Sequence, residues 1–271
     1  MRGLAIFLVI VLLIVGALYA TGALAGNAWW EPNSSNQPAP GGDVTEEKSV
    51  GTQGAQSARV ELRMGAGKVN VRGGALDLMN ATFSYNVSAW KPIIDYVVTN
   101  DQGSLLVREP SGTYSFTSKY RYEWDIRLNS STPIDLEVKT GAGNAILDLS
   151  DMMVRTLTVD AGAASASITG SPKAMTSMDV KTGVGSVNID LTGDWKNSAT
   201  VHVNGGVGSI KLVVPRNVGV TVDAKRGIGS ISTPGFTRDG NTYRNTAYGS
   251  SAVTLSIDLN VGVGSVTITQ K

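Results

Sequence analysis

The sequence predicts an all-β protein, a solenoid that resembles a single-stranded β-helix, with coils of about 21 residues, a β-rich N-terminal insertion and one transmembrane helix before it. Three observations predict this. Short alternating strands flank a Gly-x-Gly or Gly-x-Ala corner seven times. Four of the six steps between successive corners are 21–23 residues long. A run of 22 uncharged residues lies near the start of the chain.

The uncharged run is Leu4–Ala25, which as a helix is about 33 Å long and matches a hydrocarbon core of about 30 Å. The alternative is a cleaved signal peptide ending at Ala23-Leu24-Ala25. Trp29 and Trp30 follow where interfacial aromatic side chains are common, which favours an uncleaved anchor. We therefore predict an anchor, or a signal peptide, at residues 1–30. Arg2 keeps the N-terminus cytoplasmic, so a single-pass protein has its C-terminal domain outside.

Residues 31–58 are rich in Pro, Ser, Gly, Asn and Gln and have very few aliphatic side chains. Such a composition buries too little apolar area to offset chain entropy. We predict a flexible linker here, with a reach of roughly 30 Å. The remaining residues, 59–271, form the predicted β-solenoid domain.

The repeat has a constant register around its corner. The apolar residue three before each first glycine and the one four after it are seven apart, which would place them on opposite faces of an unbroken strand. Both have to point inward, so the corner must reverse the alternation, and glycine does so at little steric cost. The first glycines are Gly65, Gly141, Gly162, Gly183, Gly206, Gly227 and Gly262. The inward pairs are Leu62/Val69, Val138/Ala145, Val159/Ala166, Val180/Val187, Val203/Ile210, Ala224/Ile231 and Leu259/Val266.

Outward positions predict two ladders along the stack. One begins with Lys139, Asp160 and Lys181 and continues to Asn204 and Lys225. The other consists of small hydroxyl side chains, Ser165, Ser186, Ser209, Ser230 and Ser265. Bulky aromatic side chains interrupt the repeat between Ala75 and Pro133, and they are predicted to cap one end of the stack. They are Phe83, Tyr85, Trp90, Tyr96, Tyr122 and Trp124; Tyr243 and Tyr248 are predicted to cover the other end.

The composition excludes several kinds of chemistry. Cysteine is absent, histidine occurs once and the net charge is +1, so thiol sites, paired imidazoles and an electrostatic grip on nucleic acid are not expected. The corners have no third glycine of a dinucleotide fingerprint and no aspartate in register for a calcium array. His202 is predicted to be a surface residue. We predict no catalytic, cofactor-binding or metal-binding residue, and no cofactor.

Two features leave alternatives open. Asp148 and Asp190 occupy comparable positions two coils apart, about 9–10 Å, which is marginal for a glycosidase pair. Asn33, Asn80, Asn86 and Asn129 each begin an N-x-Ser/Thr sequence. These four sites are either glycosylated or chance occurrences in a chain rich in serine and threonine.

The repeated GAG and GVG corners, the segment WDIRLNSSTPIDLEVKTGAGNAILDLS and the ending GFTRDGNTYRNTAYGSSAVTLSIDLNVGVGSVTI resemble toast-rack domains of prokaryotic envelope proteins. These include the C-terminal part of LiaF-type proteins, which respond to cell-wall-active antibiotics. The resemblance covers about residues 58–271 and implies an all-β solenoid-like fold and an envelope role. It implies no catalytic residues. LiaF-type proteins have several hydrophobic segments, whereas this chain has one.

These observations predict a non-enzymatic, membrane-anchored, extracytoplasmic module that binds or scaffolds an envelope protein or polymer. Its membrane contact is residues 4–25, and nucleic acid is not a predicted partner. The resemblance implies a second hypothesis, an envelope-stress sensor or regulator. A carbohydrate-active β-helix enzyme using Asp148 and Asp190 is the third.

Overall fold

The computed structural model describes residues 40–111 and 119–271. The predicted membrane segment, Leu4–Ala25, and the linker residues up to 39 lie outside the described residues. Within these two ranges, no helix is long and apolar enough to span a membrane.

All fourteen strands of the described residues belong to one sheet, which confirms the all-β class. A 3₁₀ turn, Ser88–Trp90, lies between the third and fourth strands. The strands are β1 (Val44–Val50), β2 (Ser57–Ala75), β3 (Met79–Tyr85), β4 (Ile93–Thr99), β5 (Gln102–Arg108), β6 (Tyr122–Asn129), β7 (Ile134–Asp148), β8 (Val154–Thr169), β9 (Ser177–Asp190), β10 (Ala199–Val214), β11 (Gly219–Ser232), β12 (Thr237–Asp239), β13 (Thr242–Arg244) and β14 (Thr254–Gln270).

Seven long strands form a parallel stack, and each contains one glycine corner with an arm on either side. Their order is β2-β7-β8-β9-β10-β14-β11. The corners lie in register, with Gly67 opposite Gly143 and Gly185 opposite Gly208. The order differs from the sequential stacking implied by the ladders, because β14 lies between β10 and β11. Residues 233–253 separate β11 from β14 and contain the β12–β13 hairpin, so that connection is much longer than a coil turn.

The predicted inward pairs lie in one continuous hydrophobic core. Thirteen of the fourteen side chains are buried, and Ile231 is partly buried against the same core. The alternation reverses across each corner, and at six of the seven corners the second glycine has a positive φ, such as +147° at Gly208. The first glycine has a different role: a Cβ at Gly206 would lie 2.3 Å from the carbonyl oxygen of Gly183 in the neighbouring coil. The corners therefore need glycine both for dihedral freedom and for close packing of successive coils.

The third corner has alanine in place of the second glycine. Ala164 is buried and is not among the residues with positive φ. The ladder between β8 and β9 is interrupted there, since pairing stops at Ala161 opposite Thr182 and resumes at Ala166 opposite Val187. An alanine at this position is thus accommodated by a local loss of strand pairing.

Aromatic side chains cap the β2 end of the stack, as predicted. β5 pairs with the first arm of β2, and β6 pairs with its second arm. Trp124 is fully buried and makes edge-to-face contacts with Phe83 and Tyr122, with ring centroids 5.7 and 5.6 Å apart. Tyr85 and Trp90 are also buried, whereas Tyr96 is partly buried and donates a hydrogen bond to the carbonyl of Thr52.

The predicted linker over residues 31–58 is wrong for its last part. Residues Val44–Val50 form β1, an edge strand that pairs antiparallel with β3, and β2 begins at Ser57. Five of the seven residues of β1 are exposed, so the strand has the polar composition that is typical of a flexible linker. Backbone pairing and the Lys91–Glu46 ion pair (2.8 Å) hold this strand in the fold.

The hairpin β12–β13 lies at the other end of the stack. β13 pairs antiparallel with β11 at Thr221–Asp223. Tyr243 is buried against the core, as predicted for a cap, whereas Tyr248 is exposed and lies beneath the Arg244 guanidinium. Asn245 fixes this end, because its side chain bonds the backbone N–H of Val220 and the carbonyl of Val218.

Candidate functional site

The outer face of the first arms carries two adjacent columns of polar side chains. Both follow from strand alternation, which places residues two and four positions before each corner on the solvent side. The first column, mainly acidic, is Glu61, Glu137, Thr158, Asp179, His202, Asp258 and Asp223. The second, mainly basic, is Arg63, Lys139, Asp160, Lys181, Asn204, Asn260 and Lys225.

The predicted ladder of Lys139, Asp160 and Lys181 is in register, and Asn260 enters it between Asn204 and Lys225. Its ion pairs, however, run between the two columns. Lys139 contacts Glu137 at 2.5 Å and Glu61 at 3.1 Å. Arg63 beside Glu61 lowers the pKa of that carboxyl, and Lys139 does the same for Glu137. The two columns therefore largely neutralise each other.

A column of small hydroxyl side chains follows the corner on the second arm. Ser186, Ser209, Ser265 and Ser230 are in register, in that order. Ser209 and Ser265 lie within hydrogen-bond distance, 3.1 Å between their Oγ atoms. The second predicted ladder is thus present from Ser186 onward, with the order changed by the position of β14. Its first predicted member, Ser165, lies where the pairing of β8 with β9 is interrupted.

An exposed aliphatic column, which we call the corner ridge, lies between these polar columns. It occupies the middle position of the Gly-x-Gly corners in β9, β10, β14 and β11. Its members are Val184, Val207, Val263 and Ile228, in register. Val184, Val207 and Ile228 are 57%, 48% and 51% exposed, and Val263 is partly exposed. The same position in β2, β7 and β8 is alanine. The ridge was not predicted from sequence; the signal is the change from alanine to valine and isoleucine along the repeat.

Half-exposed aliphatic side chains gain only part of the free energy that full burial would provide, because the rest of their apolar surface stays in water in the folded chain. A single exposed valine is ordinary on a protein surface. Four aliphatic side chains in adjacent strands, about 4.8 Å apart, form a contiguous apolar line instead. Contiguous exposed apolar surface is typical of interaction sites.

His202 lies in the acidic column with its side chain 42% exposed, in agreement with the prediction of a surface residue. Its Nδ1 is 3.1 Å from the Oδ2 of Asp258. No serine hydroxyl or other nucleophile is among its hydrogen-bond partners in the described residues. In residues 40–111 and 119–271, no group of three or more His, Cys, Asp or Glu side chains is placed to hold a metal ion.

Asp148 and Asp190 do not face each other across a site. Thr169 lies between them in the stack. Each carboxylate accepts hydrogen bonds from the turn that follows it, Asp148 from Ser150 and Asp190 from Thr192. These carboxylates therefore close the turns that lead to the next coil.

The three N-x-Ser/Thr asparagines within the described residues have structural hydrogen bonds. Asn129 donates to the carbonyls of Ala75, Leu76 and Asp77. Asn86 donates to the carbonyl of Lys119 at 2.8 Å, and Asn80 donates to Ser49. Asn33 lies outside the described residues.

Comparison with known proteins divides the chain into two matched regions. Residues 39–174 match the family described as the N-terminal domain of toast_rack. Residues 165–268 match the family described as cell wall-active antibiotics response LiaF, C-terminal. No curated protein matches the chain.

Among solved structures, a candidate cell adhesion protein from Clostridium sporogenes is 32% identical, with a TM-score of 0.66, over 85% of this chain and 100% of that chain. A candidate adhesin from Bacteroides fragilis is 14% identical, with a TM-score of 0.32, over 87% of this chain and 99% of that chain. A candidate adhesin from Parabacteroides distasonis is 11% identical, with a TM-score of 0.28, over 84% of this chain and 97% of that chain. Of these three, the Clostridium sporogenes protein resembles this chain in both sequence and backbone.

Proposed function

Since the chain belongs to the toast-rack, LiaF-like domain family, we propose that it is a non-enzymatic, envelope-associated binding module, anchored in the membrane by residues 4–25 with its β domain outside the cytoplasm. Its partner is an envelope protein or polymer. The observation that carries this proposal is the corner ridge, a contiguous apolar line on the surface of a rigid stack.

The arrangement of polar groups supports a binding role over a catalytic one. Asp179 and Asp223 near the ridge are ion-paired with Lys181 and Lys225 of the next column. Asp148 and Asp190 are held by their own turns. A glycosidase needs two carboxyl groups that flank one bond, about 5–9.5 Å apart. The name of the Clostridium sporogenes protein, which refers to cell adhesion, agrees with a surface whose task is contact.

The absence of cysteine from the sequence permits a direct test in intact cells. A single cysteine is introduced at Val207 on the ridge, and the cells are treated with a photoreactive maleimide that does not cross the cytoplasmic membrane. The control is a cysteine at Val97, which is 58% exposed and lies on β4 at the other end of the stack. We expect both cysteines to be labelled from outside. On illumination, only the Val207→Cys adduct should crosslink to an envelope component.

Two results would contradict the proposal in different ways. Labelling of both cysteines only after lysis would place the domain inside the cell. Labelling from outside with equal crosslinks from both positions would show that the ridge is not the contact surface.

A second function, an envelope-stress sensor or regulator, is favoured by the match of residues 165–268 to the LiaF C-terminal family. The two roles differ in what deletion of the gene would do. A sensor predicts a changed response to cell-wall-active antibiotics, whereas a binding module alone predicts an unchanged one.

A further inference from the structure

Among the residues that the structure describes, one of the four arms at the two ends of the stack is not paired with a covering strand. At the β2 end, β5 covers the first arm and β6 covers the second. At the other end, β13 covers the first arm of β11, and the Ala224 N–H donates to the carbonyl of Asn241 at 3.0 Å. Residues 226–232 of β11 pair with β14 on one side. On their other side, no strand of the described residues is present. We call residues 226–232 the free edge.

The apolar side chain behind the free edge is incompletely covered. Ile231 is partly buried, whereas its counterparts four residues after the first corner glycine are all buried in the other six strands. Those counterparts are Val69, Ala145, Ala166, Val187, Ile210 and Val266. A strand added beside β11 would complete the burial of Ile231.

Backbone groups of the free edge point toward solvent. In β7, β8 and β9, the residue eight positions after the first corner glycine donates its backbone N–H to a carbonyl of the next strand in the stack. In β7 this residue is Leu149, whose N–H donates to the carbonyl of Thr169 at 2.8 Å. Groups two residues apart point the same way along a strand. Gly229 and Ile231 therefore face the free edge. The carbonyl of Gly229 is already used, because the Arg226 Nε donates to it at 2.9 Å.

Charge favours an acidic partner at this end. Residues 211–271 contain seven Lys and Arg against three Asp, whereas residues 40–110 contain seven against eight acidic residues. Lys225 directly precedes the free edge and Arg226 is its first residue, and both side chains are exposed. Opposite charge steers and orients partners at an interface.

The opposite end of the stack shows what such a partner looks like. β5 is an extended segment that pairs with the first coil, and Glu109 directly follows it. The Glu109 carboxylate lies against the first corner, where a Cβ on Gly65 would meet its Oε1, and the N–H groups of Gly65 and Ala66 act to lower its pKa. The chain itself therefore closes its first coil with a strand that carries an acidic residue.

We propose that the free edge binds an extended, acidic segment of a partner protein as an added β strand. Its backbone pairs with Gly229 and Ile231, an apolar side chain covers Ile231, and a carboxylate meets the guanidinium of Arg226. Strand addition draws affinity from main-chain hydrogen bonds and specificity from alternate side chains. This inference deepens the proposed binding role and rests on it.

The test uses the full-length chain in detergent and a fluorescent peptide of about nine residues with alternating valine and glutamate. The matched peptide has the same side chains but is N-methylated at alternate backbone amides, so it cannot pair along a strand edge. We expect saturable binding, measured by fluorescence anisotropy, with Kd at least about tenfold higher for the methylated peptide. Hydrogen–deuterium exchange should slow at the amides of Gly229 and Ile231.

Protein variants separate the edge from general charge. Arg226→Glu should raise Kd at least about fivefold, whereas Lys173→Glu, an equal change of charge on an exposed turn, should change it less than about twofold. Circular dichroism of each variant checks that the fold is kept.

Several outcomes would overturn the proposal. Absence of peptide binding, or equal binding of the methylated peptide, would show that the edge does not add a strand. Protection of Gly229 and Ile231 without peptide, together with a dimer in sedimentation, would assign the edge to a second copy of this chain. None of these results affects the labelling of Val207→Cys in intact cells, so failure here is distinct from failure of the proposed function.

Discussion

At the scale of single residues, the second corner glycine is the most constrained position of the repeat. Gly208 has φ +147°, and a Cβ there would lie 1.7 Å from the carbonyl oxygen of Gly185. L-residues avoid this dihedral region, and the contact involves backbone that cannot rotate away. A side chain at this position would therefore cause both an unfavourable backbone dihedral and a steric clash with the neighbouring coil.

Gly208→Ala should therefore lower the free energy of unfolding by about 3 kcal/mol or more, measured by urea denaturation. Gly249→Ala is the control, since Gly249 has φ +83° but nothing within 4 Å of an added Cβ. That variant should lose about 1 kcal/mol, the dihedral penalty alone. Equal losses in both variants would show that contact between coils contributes little.

Glu109 gives the stack a pH-dependent contact at its first corner. Burial raises the pKa of this carboxyl, and the N–H groups of Gly65 and Ala66 offset part of the rise. Because the pKa of Glu109 is raised in the folded state, its contribution to the free energy of unfolding is fully present below the ordinary pKa of 4.5. That contribution is lost as the pH rises through the folded-state pKa.

Glu109→Gln should consequently gain stability relative to the natural protein as pH rises above 4.5. Glu61→Gln provides the opposite sign, because Arg63 lowers the pKa of Glu61 and its contribution is present at higher pH. Thermal unfolding between acid and neutral pH measures both. A constant difference between Glu109→Gln and the natural protein at every pH would contradict the assignment.

At the scale of elements, the coils were predictable and the edge strand β1 was not. Gly-x-Gly corners and alternation define each coil locally, so seven coils follow from seven motifs. β1 has five exposed side chains out of seven and carries no periodic apolar signal. Its pairing with β3 is a long-range interaction that its own composition does not encode.

The aromatic cap was predictable as an element because bulky side chains interrupt the repeat there. Trp124 is fully buried between Phe83 and Tyr122. Trp124→Ala should lower the free energy of unfolding by about 3–5 kcal/mol in urea denaturation, through lost burial and the cavity left behind. Tyr248→Ala, at an exposed ring, should cost less than about 1 kcal/mol. Similar values for both would mean that the cap is not part of the cooperative core.

At the scale of the whole molecule, the sequence predicts the column of corners but not the order of its last members. The order depends on the path of the 21-residue connection between β11 and β14, residues 233–253. No local sequence pattern specifies beside which strand β14 pairs after this connection. The free edge could not be predicted for the same reason. The aliphatic residues of the corner ridge can be identified in the sequence as the middle residues of four Gly-x-Gly corners, Val184, Val207, Val263 and Ile228. They were not predicted as a surface, because the corners were interpreted only as turns.

The position of β14 between β10 and β11 also constrains how the protein is made. A nascent chain emerges N-terminal end first, so β2 and β7 to β10 are able to stack while synthesis continues. β11 emerges before its parallel neighbour exists, because that neighbour is Thr254–Gln270, which follows it in the sequence. β11 therefore cannot join the parallel stack until Thr254–Gln270 has also been synthesised and has docked on β10.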